Sequence, residues 1–90
     1  MMLDSLPRQA PNVVSRQIED EAVLVHPLQG RVRVLNAVGA RVWELADGQR
    51  TVSEIAQTIG AEYDVELSRA QADVLAFCAD LVQAGVMSEQ

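Results

Sequence analysis

Apolar residues follow two different periods along this chain, and the change from one to the other falls near residue 36. Before it, three short runs rich in β-branched side chains, VVSRQI (13–18), AVLVHP (22–27) and RVRVL (31–35), are separated by Glu19-Asp20-Glu21 and by Pro27-Leu28-Gln29-Gly30. That punctuation predicts two consecutive hairpins, a small antiparallel meander. In the third run Val32 and Val34 alternate with Arg31 and Arg33, which predicts valines on the core face and arginines on the other.

After residue 36 the period is helical. Asn36 is placed to cap a helix over roughly 37–46 whose inner face carries Val38, Val42, Leu45 and Ala46, with Asp47-Gly48 as its stop. Thr51 and Glu54 form a capping box, and Val52, Ile55, Ala56 and Ile59 fit the i, i+3, i+4, i+7 template. Gly60 predicts that this helix frays or ends between there and Tyr63. Ser68 with Gln71 reads as a second capping box, opening a third helix with the stripe Val74, Leu75, Cys78, Leu81 and Val82 that ends at Gly85. Val86 and Met87 then pack back.

Residues 1–11 contain two prolines and no period, and read as a flexible tail ahead of a domain spanning 12–90. Strands grouped before helices predict an α+β, winged-helix-like fold: a three-stranded antiparallel sheet followed by three α-helices.

Ninety residues, 49% of them apolar, supply one modest core and leave little room for a buried cofactor cavity. The thirteen carboxylates against seven arginines, with no lysine and a net charge of -6, disfavour nucleic acid. The third helix, which a winged-helix DNA reader would place in the major groove, has one arginine near its start against Asp73 and Asp80. No stretch has the length of a membrane span or the pattern of a signal peptide, and the single cysteine fits a reducing cytoplasm.

Catalytic chemistry finds little footing. His26, the one histidine, stands beside Pro27 at a strand end with no partner nominated, and Cys78 falls on an apolar stripe where it acts as a small hydrophobe. No metal-ligand spacing or phosphate-cradling glycine loop occurs, so neither metal nor cofactor is expected. Asp4-Ser5-Leu6 matches the tripeptide that carries phosphopantetheine in carrier proteins, but here it lacks the preceding helix such a site needs. These readings predict a binding domain and no enzyme.

The segments GRVRVLNAVGARVWEL (30–45), DGQRTVSEIA (47–56), EYDV (62–65) and ADVLAFCADLVQAGVM (72–87) occur in this order and spacing. Together they resemble the PqqD-like family, through Leu35, Asn36, Gly39, Trp43, Glu44, Leu45, Asp47, Gly48, Thr51, Ile55, Tyr63, Val65, Asp73, Val74, Leu81 and Gly85. The resemblance covers about residues 13–87. It implies a stand-alone recognition element that binds the leader of a ribosomally synthesised precursor peptide and presents it to a separate modifying enzyme, such as a radical SAM enzyme or lasso peptide machinery. By β-augmentation the leader would lie beside the third strand and third helix, at Arg31, Val32, Arg33, Val34, Leu35, Asp73, Phe77 and Asp80. Phe77 and Trp43 also suit the core, since a domain with three aromatics needs their area inside. A homodimer pairing the same β edge is the second reading.

Overall fold

The computed structural model describes residues 1–90. In chain order it contains β1 (Pro7–Gln9), β2 (Val14–Ile18), β3 (Glu21–His26), β4 (Arg31–Leu35), α1 (Ala37–Leu45), α2 (Val52–Tyr63), α3 (Leu67–Gln83) and β5 (Met87–Glu89). The expected meander is β2-β3-β4, an antiparallel sheet in that order, and the expected three helices follow it. Hairpin register is set at each turn, with Ile18 opposite Glu21 and His26 opposite Arg31.

The helix starts obey local chemistry. The Gly39 N–H donates to Asn36 Oδ1 at 2.9 Å, satisfying one of the unpaired donors at the start of α1. At α2 the Glu54 N–H donates to Thr51 Oγ1 at 3.1 Å and the Thr51 N–H donates to Glu54 Oε1 at 2.9 Å, the reciprocal capping box. The Thr51 N–H and hydroxyl, both donating to Glu54 Oε1, hold the Glu54 carboxyl below its ordinary range. Replacing Thr51 with alanine is expected to lower stability by about 1 kcal/mol, read from urea unfolding.

The core forms where helical stripes meet the inner face of the sheet. Val52, Ile55, Ala56 and Ile59 of α2 are all buried, as are Val74, Cys78 and Leu81 of α3, with Leu24 and Leu35 covering them from the sheet. Trp43 joins this core. Burial raises the Cys78 thiol to about 11, so it stays protonated and inert at neutral pH.

Three sequence expectations give way. Val32 and Val34 lie on the outer face of the sheet, 60% and 66% exposed, while Leu35 is buried. The reason is register: Arg33 and Leu35 stand opposite Leu24 and Ala22, and burying Leu35 with a period of two puts Arg31 and Arg33 on the inner side. Secondly, α3 begins at Leu67 after Glu66, with no side-chain cap; the Ser68 hydroxyl donates to Glu66 Oε1 at 2.7 Å instead of opening a capping box with Gln71. The chain enters early because Asp64, left-handed at φ 55, closes α2 tightly, and the Val65 N–H donates to the Gly60 carbonyl.

Thirdly, residues 1–11 are placed against the domain. Strand β1 pairs with β5, and the carbonyls of Leu3 and Ser5 accept from the N–H groups of Ser53 and Val52 at the start of α2. Backbone groups make these contacts, so no side-chain period announces them.

Candidate functional site

The sheet ends at β4, which pairs only with β3. No backbone hydrogen bond outside the sheet begins or ends at residues 31–35, so the far side of β4 presents unpaired donors and acceptors. Alongside it runs a groove of about 800 Å³ between β4, the first turns of α1, and α3. Its size is that of a ligand cleft.

The groove has an apolar floor and a charged rim. Helical spacing puts Ala70, Val74 and Phe77 of α3 on one side, Val38 and Val42 of α1 on the other, and Ile59 beneath. Phe77 lies against Gly39 so closely that a Cβ there would stand 3.1 Å from its Cζ. The glycine lets the ring lie down on α1, which widens the floor. Val38 and Tyr63 are left 38% and 39% exposed in this groove, apolar area that a bound chain would cover.

At the rim, Arg33 Nη1 donates to Asp80 Oδ2 at 2.7 Å, clasping β4 to α3. Arg69 and Asp73 stand 3.6 Å apart one turn along α3. The hydrogen bond from Arg33, with its charge, holds the Asp80 carboxyl below the ordinary carboxylate range. A depressed folded-state pKa makes the clasp complete above the unfolded-state value and loses it as pH falls through the folded one. Carboxyl NMR of Asp80 is expected to show a midpoint below that of an unpaired aspartate, and Arg33→Gln to return it to the ordinary range.

Of the residues singled out from sequence, Arg33, Leu35, Asp73 and Phe77 line the groove, and Val34 borders it along the strand while its side chain keeps to the outer face. Arg31 and Val32 lie on the same strand outside the lining, Val32 turned to the outer face, and Asp80 stands at the rim, outside the lining, in its pair with Arg33. Sequence reasoning missed Val38, Val42, Ile59, Tyr63 and Val65 as lining residues. Val38, Val42, Ile59 and Tyr63 sit on helices, where nothing in a helical period separates a residue under the core from one under a groove, and Val65 lies in the short turn between α2 and α3, which carries no period. No group of three His, Cys, Asp or Glu side chains is arranged to hold a metal ion, and no helix is long and apolar enough to cross a membrane.

A winged-helix-like domain with a free sheet edge over an apolar groove defines a peptide-binding class of protein. The profile of the family described as Coenzyme PQQ synthesis protein D (PqqD) matches residues 21–87, and the chain belongs to that family. Among solved structures it is similar to TbiB1 in complex with the TbiA(beta) leader peptide, with 33% identity, 90% of this chain and 94% of that one covered, and a TM-score of 0.83. It is also similar to the PqqD truncation of Methylobacterium extorquens PqqCD, a functional, stand-alone recognition element for ribosomally synthesised and post-translationally modified peptides. There the identity is 36%, coverage 91% and 87%, and the TM-score 0.75. A lasso peptide synthetase B1 complexed with its leader peptide shares the fold at 24% identity, 92% and 98% coverage and a TM-score of 0.83. Comparison with curated protein sequences returned no match.

Proposed function

We propose that this protein is a non-catalytic recognition element that captures the leader of a ribosomally synthesised precursor peptide and presents it to a separate modifying enzyme. The observation that carries this reading is the unpaired edge of β4 beside an apolar groove of about 800 Å³. A leader added as a fourth strand satisfies the free backbone groups, and its alternate side chains drop onto Phe77, Val74 and Val42. The similarity to TbiB1 in complex with the TbiA(beta) leader peptide, at 33% identity, supports leader binding.

Four backbone hydrogen bonds contribute about 4 kcal/mol net, and two or three buried apolar side chains roughly 1.5 to 3 kcal/mol each. Lost translational and conformational freedom takes back several kcal/mol. At the favourable end of these ranges about 6 to 9 kcal/mol remains, which corresponds to dissociation constants from sub-micromolar to tens of micromolar and suits presentation followed by release. The groove side chains include no nucleophile and base in contact, which supports leaving the chemistry to the partner enzyme.

The test is an amide NMR titration of the labelled protein with leader peptides of short precursor-like genes encoded beside its own. Saturable shifts along residues 31–36 and 69–80 are expected. Absence of shifts at several hundred micromolar with every candidate, together with a mass that rises with concentration, would replace leader capture by self-association through the β4 edge.

A further inference from the structure

The outer face of the sheet carries side chains that a solvated face ordinarily lacks. Antiparallel sheets covered on one side alternate apolar residues inside with polar residues outside. Here register reverses that pattern: Val14, Val25 and Val32 form one row across the outer face, Arg16, Val23 and Val34 form the next, and Ile18 stands opposite Glu21 beyond them. Val14, Ile18, Val32 and Val34 are 54 to 66% exposed, and Val23 and Val25, flanked by strands on both sides, are half-buried. The helices lie on the other side, against Leu24 and Leu35. The β-branched apolar side chains thus share one uncovered surface, which marks an interaction site.

The surroundings of this face select its partner. At standard rise and strand spacing the three strands cover roughly 17 by 14 Å, or ~240 Å². That is roughly a third of the ~800 Å² each partner contributes to a stable interface, so flanking surface has to complete the contact. The flank supplied by the β2-β3 hairpin is acidic: Glu19, Asp20 and Glu21 are exposed, and none of them takes part in an ion pair. A two-residue turn with positive φ favours Asn or Gly, so the φ of 58 at Glu19 gives no structural reason for carboxylates there. A second copy of this chain is a poor match for such a flank. It has no lysine and a net charge of -6, and register leaves Arg16 as the cation on its own outer face.

We propose that the outer face of the β2-β3-β4 sheet docks the separate modifying enzyme, through an apolar patch on that enzyme flanked by arginine or lysine side chains that meet Glu19, Asp20 and Glu21. The identity of this partner rests on the leader-capture reading above. The groove that takes the leader lies on the inner side of β4, against α1 and α3, so enzyme and leader occupy opposite sides of one strand and do not compete. The apolar face runs without a break to Val32 and Val34 on the edge strand, which brings the docked enzyme alongside the captured leader. A contact of this size belongs to the transient class, as a domain that hands on its cargo requires.

The test is calorimetry of the whole protein with the purified modifying enzyme encoded beside its own gene, with and without saturating leader peptide. Binding is expected in both titrations. Val14→Glu and Ile18→Glu are each expected to weaken the enzyme at least about tenfold, because each buries an unpaired carboxylate in the contact, and to leave leader affinity within about twofold. Both positions are exposed on β2, and amide spectra check folding; if one variant does not fold, the other decides. Glu19→Lys combined with Asp20→Lys is expected to weaken the enzyme about tenfold and to flatten the salt dependence of the parent contact. No binding to the enzyme, an affinity unchanged by Val14→Glu and Ile18→Glu, or competition between enzyme and leader would overturn this docking face. A mass that rises with concentration in the protein alone and returns to that of a monomer in Val14→Glu would assign the face to a second copy instead. Leader affinity is read separately, so failure of the β4 groove and failure of this face are told apart.

Discussion

Phe77→Asp is expected to weaken leader binding by a hundredfold or more and to leave the domain folded. The ring of Phe77 lies on Gly39 in the middle of the groove floor, where a leader side chain covers it. Aspartate removes that contact and asks the incoming apolar side chain to desolvate a carboxylate. It also stands one turn from Asp73 and close to Asp80, adding like charge to one face of α3. The fold survives because the residues that close the core beneath, Val74, Cys78 and Leu81, are untouched. Titration followed by amide NMR checks both points, since the spectrum reports folding and affinity together. Phe77→Leu, which keeps an apolar floor, is the control and should bind within about fivefold of the parent, a difference under ~1 kcal/mol. Unchanged affinity in Phe77→Asp would remove the floor from the binding site.

The largest effect on stability is expected at Ile55. Its side chain is 0% exposed in α2, the helix that packs against α3 and α1. Truncation to alanine loses the transfer energy of the removed carbons and leaves a cavity, together roughly 3 to 4 kcal/mol. A domain of this length has a total stability on the order of 5 to 10 kcal/mol, so the urea midpoint should fall by about half with an unchanged slope. Val34→Ala, on the exposed outer face, should move stability by no more than about 0.5 kcal/mol. A cost below about 1 kcal/mol at Ile55 would mean that α2 does not carry the core.

How far the site was legible depends on which interactions build each part. The helix starts at Asn36 and Thr51 were readable because a cap is a contact between residues three apart in sequence. The stripe of α2 was readable because one face of an isolated helix already shows its period. Strand β4 was located but turned the wrong way. Its alternation of Arg and Val fits either face locally, and the deciding contact, Leu35 with the sheet residues Ala22 and Leu24, comes from register. Phe77 was found with its ambiguity intact, since a helical residue beside the core stripe serves core or groove according to what stands across from it.

Local sequence by itself determined the order of elements, two of the three helix starts, the buried face of α2 and the poverty of catalytic groups, because each rests on interactions within about one helical turn or one hairpin. Only the tertiary structure decided which face of β4 turns inward, that residues 1–11 brace α2 and β5, and that α1, α3 and β4 leave a groove open between them. Those features depend on contacts between segments far apart in the chain, where burial of Leu35, the missing Cβ of Gly39 and the free edge of the sheet acquire their meaning together.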